Sequence, residues 1–431
     1  MWRIPGKFLS PNRNMVAAVA VLSVSLNAAV NAWAEADSWP EFRGPTGQGI
    51  SAATNLPISW SATNNVKWKT EIPGNGWSSP VLRDGRLYLT SAVPGADGKT
   101  ITLHAWCVDS ANGKVLWNTE ILQPEPGPAG TRHDKNSQAS PTPIVTADRL
   151  FVHFGHLGTA ALDLAGKVIW TQTSLKYSPL HGNGGSPALI GDELVFSCDA
   201  TKDPFVVALN AKDGVVRWKT PRSTHAKRTF SFCTPQLITV DGVEQIILPG
   251  SGFVAAYAPV QGRELWRVRY GEGYSLVPRP VYSHGLLFIA TGFDRPDLLA
   301  INPSGATGDA TDSKIVWTSH KAVPTTPSLL VVGEELYFVS DGGIASCVDA
   351  KTGAVHWNER LSADGYSSSP VYADGRIYFQ SEGGIGVVLK PGKKFEVLSR
   401  NELGERTLAS YAVADNALFI RSDSHLWRIG K

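Results

Sequence analysis

SSPVLRDGRLYLTSAVPGADGKTITLHAWCVDSANGKVLW, from Ser78 to Trp117, holds one complete structural unit. Short stretches rich in Val, Leu, Tyr and Thr are separated by Asp84-Gly85, Asp97-Gly98 and Asn112-Gly113. β-Branched and aromatic residues fit a pleated, half-buried surface, and Asp-Gly or Asn-Gly pairs tolerate the positive φ that tight hairpin turns require. The stretch therefore predicts four consecutive antiparallel strands, lettered A to D.

The same phrase recurs. Tryptophan closes it at Trp68, Trp117, Trp170, Trp218, Trp266, Trp317 and Trp357, at intervals of 49, 53, 48, 48, 51 and 40 residues. Such a period matches four-stranded propeller units. A second marker alternates with the first: Ser79-Pro80, Ser140-Pro141, Ser186-Pro187, Thr234-Pro235, Arg279-Pro280, Thr326-Pro327 and Ser369-Pro370. Gly113, Gly166, Gly214, Gly262 and Gly353 each stand four residues before their Trp, in the predicted C–D turn.

A lone four-stranded sheet exposes two faces and two edges, whereas radial stacking buries the faces and leaves short, protected edges. The expected fold is all-β: an eight-bladed β-propeller of four-stranded antiparallel blades over residues 60–431. The chain after Val397 supplies only three more strands, so the strand around Trp68 is expected to join them and close the ring. If the last segment is a cap, the count is seven. The seven tryptophans are expected to dock each blade on the next, burying a large ring at low rotamer cost. Residues 35–59 are too dense in Pro and Gly for a strand or helix. They read as a strap across one face, with Trp39, Phe42 and Ile50 as apolar anchors.

Arg3, Lys7 and Arg13 precede an apolar run from Met15 to Val30 and the small-x-small triplet Ala32-Trp33-Ala34, so residues 1–34 read as a secretory signal. The run is too short and too polar for a stable membrane span. A periplasmic or secreted location is expected. Removing those three bases leaves 37 Lys plus Arg against 38 Asp plus Glu, which gives no electrostatic case for nucleic acid. Cys107, Cys198, Cys233 and Cys347 form no CxxC spacing and read as small buried hydrophobes, with a Cys198–Cys233 bridge as the alternative.

Asp109, Gly113 and Trp117, and again Asp349, Gly353 and Trp357, spell Asp-x-x-x-Gly-x-x-x-Trp. The phrase resembles the tryptophan-docking repeat of pyrroloquinoline-quinone (PQQ) propellers over roughly residues 60 to 431. The opening WPEFRGPTGQG resembles that of secreted bacterial PQQ-like repeat proteins. The resemblance implies two branches. Quinoprotein dehydrogenases hold PQQ and calcium at the propeller centre; the outer-membrane assembly factor BamB is a periplasmic scaffold that binds no quinone. This sequence has neither the adjacent cysteine pair of many alcohol-oxidising quinoproteins nor a CxxCH haem module.

In a propeller the D–A and B–C connections emerge on one face around the axis. There this sequence places His133, Lys135, Asn136, His156, His181, Asn183, Lys227, Arg228 and Arg279, a predicted axial mouth. No catalytic residue and no metal ligand are assigned: GxSxG, HExxH and P-loop patterns are missing, and His133 with His181 would lack a third ligand. A quinone would draw on Lys135, Arg228 and Arg279 for its carboxylates, and calcium on Asp199, Asp294, Asp341 and Glu382. The expected protein is an exported, monomeric, non-catalytic scaffold of the cell envelope that binds envelope or secreted proteins and carries no cofactor. A PQQ- and calcium-dependent dehydrogenase is one alternative. A glycan-binding accessory using Tyr177, Phe230, Phe232, Tyr274 and Tyr366 is the other.

Overall fold

Hairpin chemistry sets the blades. At Asp84-Gly85, Asp241-Gly242, His284-Gly285 and Asp374-Gly375 both residues have positive φ, the geometry whose twist matches two flanking strands. Asp415-Asn416 makes the same turn in the last blade without a glycine. The computed structural model describes residues 1–2, 38–124 and 133–431. The secretory-signal reading rests almost wholly on residues outside these, and Arg132 also lies outside them. Among the described residues no helix is long and apolar enough to cross a membrane.

Among the described residues eight sheets form, seven antiparallel ones of four strands and one of five with a single parallel pairing. Blade 1 runs through Val81–Arg83, Arg86–Pro94, Ile101–Asp109 and Val115–Leu122. Blade 8 is composite: Val66–Glu71 pairs antiparallel with His425–Gly430, outside Ala417–Arg421 and Ala412–Ala414. The ring closes by joining its two ends, and the count is eight. Every strand D carries a bulge at the same place, as at Val115/Trp117, Val168/Trp170 and Val216/Trp218. The skipped residue faces out, which leaves Leu116 and Ile169 exposed while twisting an edge that would otherwise pair with another chain.

Each strand-D tryptophan sits against the C–D turn of the following blade. Indole N–H groups donate to Ser110 O from Trp68, Leu164 O from Trp117, Ala211 O from Trp170, Ala350 O from Trp317 and Gly392 O from Trp357, at 2.9 to 3.1 Å. Two depart. Trp218 and Trp266 donate within their own blades, to Glu193 and Gln245. Blade 5 replaces the turn glycine with an insertion, and its strand Gly308–Asp309 adds in parallel to Glu264–Arg269, making the fifth strand of blade 4. The interval of 51 residues before Trp317 is this insertion. Blade 7 has Ser399 at the tryptophan position, and Trp60 from the N-terminal segment covers the gap by stacking on Tyr378.

The N-terminal segment is a strap across the face opposite the predicted mouth. Trp39 exchanges both backbone hydrogen bonds with Leu82, Pro40 O accepts from Val145 N, and Ile50 bridges to Tyr372. Gln236 donates to Thr46 O, and Ser51 donates to Val413 O. Buried Arg43 donates to Leu329 O and Pro370 O. One segment thereby ties blades 1, 2, 4, 6, 7 and 8. All four cysteines are free and buried. The Cys198–Cys233 bridge is corrected: Cys198 packs with Trp170 and Phe196, Cys233 with Trp218 and Ile246, in different interblade layers.

Candidate axial binding site

Strand A of each blade starts beside the axis with a small hydroxyl or, once, an arginine. Backbone N–H groups there reach the hydroxyl oxygen of the next blade: Ser79 to Thr142, Thr142 to Ser186, Ser186 to Thr234, then Arg279 to Ser328, Ser328 to Ser369 and Ser369 to Ser410, all at 2.9 to 3.0 Å. This belt corrects the marker register at two blades. Thr142 and Ser328, not Ser140 and Thr326, occupy the equivalent positions. Both stretches offer two hydroxyls two residues apart, so only pairing across blades chooses between them.

Inside the belt lies a cavity of about 920 Å³. Phe42 of the strap lines it at the end away from the mouth. His133, Lys135, Asn136, His181, Lys227 and Arg228 line it as expected from their loops. His133 and His181 stand edge-on at 6.0 Å, and among the described residues no cluster of three metal-binding side chains occurs. Asn136 pins its loop by accepting from Ser140 Oγ and donating to His181 O.

Three predicted mouth residues are elsewhere. Arg279 is buried under the strap, where its guanidinium donates to Pro235 O, Phe42 O and the Glu41 carboxylate. An arginine at a hydroxyl position of the belt is too long to stay there, and strap carbonyls take its donors. Asn183 is also buried, donating to Phe154 O and meeting His156 Nδ1 at 2.8 Å. His156 turns with it against Tyr177, so neither faces the cavity.

An aromatic wall occupies one side of the mouth. Phe230 contacts His181, Phe232 and Tyr274, and Tyr274 contacts Phe293. Of the aromatics expected at the surface, Phe230, Phe232 and Tyr274 form this wall but are largely buried, Tyr366 is fully buried between blades, and Tyr177 is half-buried against Phe205. Trp77 and Phe293 also line the cavity and were not singled out in the sequence, and Phe42, read there only as a strap anchor, lines it too. Trp77 directly precedes the belt marker Ser78-Ser79-Pro80, which is the available sequence signal for it.

Most charges at the mouth are already engaged. Lys135 Nζ lies 2.7 Å from Glu382, which also accepts from Ser367 Oγ. Arg228 stacks over Tyr274 and lies 3.6 Å from Asp294. Asp341 accepts from Thr325 N at 2.6 Å. Asp199 is withdrawn from the axis into a buried ion pair with Arg222 at 2.8 Å, both side chains at most 2% exposed. Burial pushes the Asp199 carboxyl up to about 6, with Arg222 pulling it back.

A sequence model described as outer membrane protein assembly factor BamB matches residues 49–179, 106–233 and 306–393. Among solved structures, BamB from Moraxella catarrhalis superposes with a TM-score of 0.57 at 14% identity, over 83% of this chain and 95% of that one. Quinohemoprotein alcohol dehydrogenase ADHIIG from Pseudomonas putida HK5 superposes at 0.65 and 10% identity, over 93% and 81%. The computationally designed Ika8 protein does so at 0.52 and 12%, over 84% and 99%. At such identities these structures share the fold alone. No curated protein matches the sequence. With matched segments that span more than half of its length and repeats that close as eight blades, seven of them docked by a strand tryptophan, the chain belongs to the PQQ-like β-propeller family.

Proposed function

We propose that this protein is an exported, non-catalytic binding module of the cell envelope, and that the axial mouth is the face its protein partner meets. The observation that carries the reading is that the chemical groups a quinone enzyme needs are committed elsewhere. Arg279 is held by the strap, Lys135 by Glu382, and Asp199 by Arg222. A tricarboxylate quinone needs free cations, and calcium needs several convergent oxygen ligands. The residues present do not fit that pair, so no step through it is derived. The family match to an outer-membrane assembly factor and the basic-then-apolar start of the chain support an envelope location.

The test is capture of partners from envelope extract by the mature protein and by a Lys227→Glu, Arg228→Glu variant. Both side chains are exposed, so the variant is expected to fold. Loss of specific partners from the variant is the expected result; identical recovery sinks the mouth as docking face. Titration with PQQ and calcium, followed by calorimetry, is expected to give no stoichiometric complex, and a saturable one restores the dehydrogenase.

A further inference from the structure

Six cavity-lining hydroxyls of the belt, Ser79, Thr142, Ser186, Thr234, Ser369 and Ser410, are more than nine-tenths buried. Five of them accept a backbone N–H from the preceding blade; among the described residues none of the six O–H groups has a protein acceptor. Accepting a hydrogen bond polarises a hydroxyl and strengthens it as a donor. Buried donors without acceptors are costly, so what fills the cavity must supply oxygen lone pairs.

Charge decides which oxygens. An anion would call for unpaired cations beside the belt. Among the described residues the one cation of the belt, Arg279, is turned out to Glu41 and the Phe42 carbonyl. Higher up, Lys135 is neutralised by Glu382 and Arg228 faces Asp294, while Lys227, which has no ion pair among those residues, is offset in the sum by Asp341. The remaining lining is aromatic, with Trp77, Phe230 and Tyr274 above the belt and Phe42 at its far end. Ring faces pack against C–H surfaces, and hydroxyls against alternating donors and acceptors.

We infer that the axial cavity is a binding site for a neutral saccharide of two to three residues. At about 920 Å³, the cavity is in the upper range of sites that bury small organic ligands. The sugar hydroxyls satisfy the belt and one pyranose face lies on the aromatic wall. The inference goes beyond the proposed envelope role and does not need it: a partner can meet the rim while a saccharide occupies the interior.

The experiment is calorimetric titration of the mature protein with cellobiose, maltotriose, xylotriose, mannotriose and chitotriose, with trigalacturonate as the anionic control. Tryptophan fluorescence is followed in parallel. The expected result is 1:1 binding of at least one neutral sugar below about 10 mM, with a change in Trp77 emission. Trp77→Ala is expected to weaken it about fivefold to tenfold. The isosteric Thr142→Val removes one belt donor and is expected to weaken it to a similar degree; thermal melts verify that both variants fold. No neutral sugar binding, binding of trigalacturonate alone, or binding unchanged in a folded Trp77→Ala protein each overturns the inference. Partner capture by the wild-type protein is read separately, so failure here leaves the docking face standing and failure there leaves the saccharide site standing.

Discussion

Two buried ionisable residues give this propeller opposed responses to acid. Asp199 is held with a carboxyl raised from 3.8 to about 6 by burial, Arg222 opposing. The folded state therefore binds its proton more readily than the unfolded chain. That contribution is fully present below pH 3.8 and is lost as pH rises through 6. His153, buried and bonded to Thr159 Oγ1, is lowered to about 3 by burial and by His156. Its contribution is present above 6.5 and is lost as pH falls toward 3. At pH 4 the Asp199 gain and the His153 loss are each about 2 to 3 kcal/mol and opposite in sign, so they largely offset. Asp199→Asn keeps a carboxamide oxygen beside Arg222 and removes the titrating proton. The wild-type urea midpoint is expected to rise relative to that of the variant from pH 7 to pH 5, because only the wild type takes up a proton in the folded state. A wild-type midpoint that falls relative to the variant over this range removes the raised carboxyl from the account.

At the scale of the element, glycines of equal φ do different work. Gly262, in a C–D turn at φ 63°, would place a Cβ 2.2 Å from the Trp218 ring, whereas Gly285, in an A–B turn at φ 72°, would meet nothing within 4 Å. Alanine at Gly285 bears only the left-handed strain, about 1 to 2 kcal/mol, while alanine at Gly262 must also push back the docked indole, adding about 1 to 3 kcal/mol. Chemical denaturation of the two variants is expected to rank Gly262→Ala well below Gly285→Ala; equal loss would mean that the indole does not depend on close approach at this turn. The strap is tested in the same way. Trp39 is fully buried, and Trp39→Ala is expected to lose about 3 to 5 kcal/mol. A cost under 1 kcal/mol would mark the strap as an ornament rather than a tie across the blades.

For the whole molecule, closure depends on six residues. Val66–Glu71 covers the edge of His425–Gly430 and carries Trp68, whose indole docks blade 8 on blade 1. Deleting residues 35–71 is expected to leave His425–Gly430, a strand with four of its six residues buried, as an unpaired edge, which pairs with other chains. Light scattering on a size-exclusion column is expected to show oligomers or aggregate where a chain of residues 35–431 elutes as one species. A monodisperse, monomeric truncation would show that the ring closes without the N-terminal strand.

The repeat of Trp and turn glycine was legible because hairpins are local: an Asp-Gly pair and a β-branched run act within a few residues, so the tryptophan-bearing blades and their strand order follow from the spacing of Trp68 to Trp357, while the remaining blade and the closure rest on the strands counted near and after Val397. The loops of the mouth were legible for the same reason, which is why His133, Lys135, His181, Lys227 and Arg228 do line the cavity. Contacts between residues far apart in the chain decided the rest. The distinction between Ser140 and Thr142 lies in a hydrogen bond to the next blade, 44 residues away. Arg279 left the mouth because the Phe42 carbonyl and the Glu41 carboxylate, more than 200 residues earlier, bind it under the strap. Blade 7 keeps its packing without a strand tryptophan because Trp60, from the other end of the chain, fills the place. Local conformational preference determined the propeller; the surroundings of each polar group, which only the closed ring supplies, determined what the cavity offers a ligand.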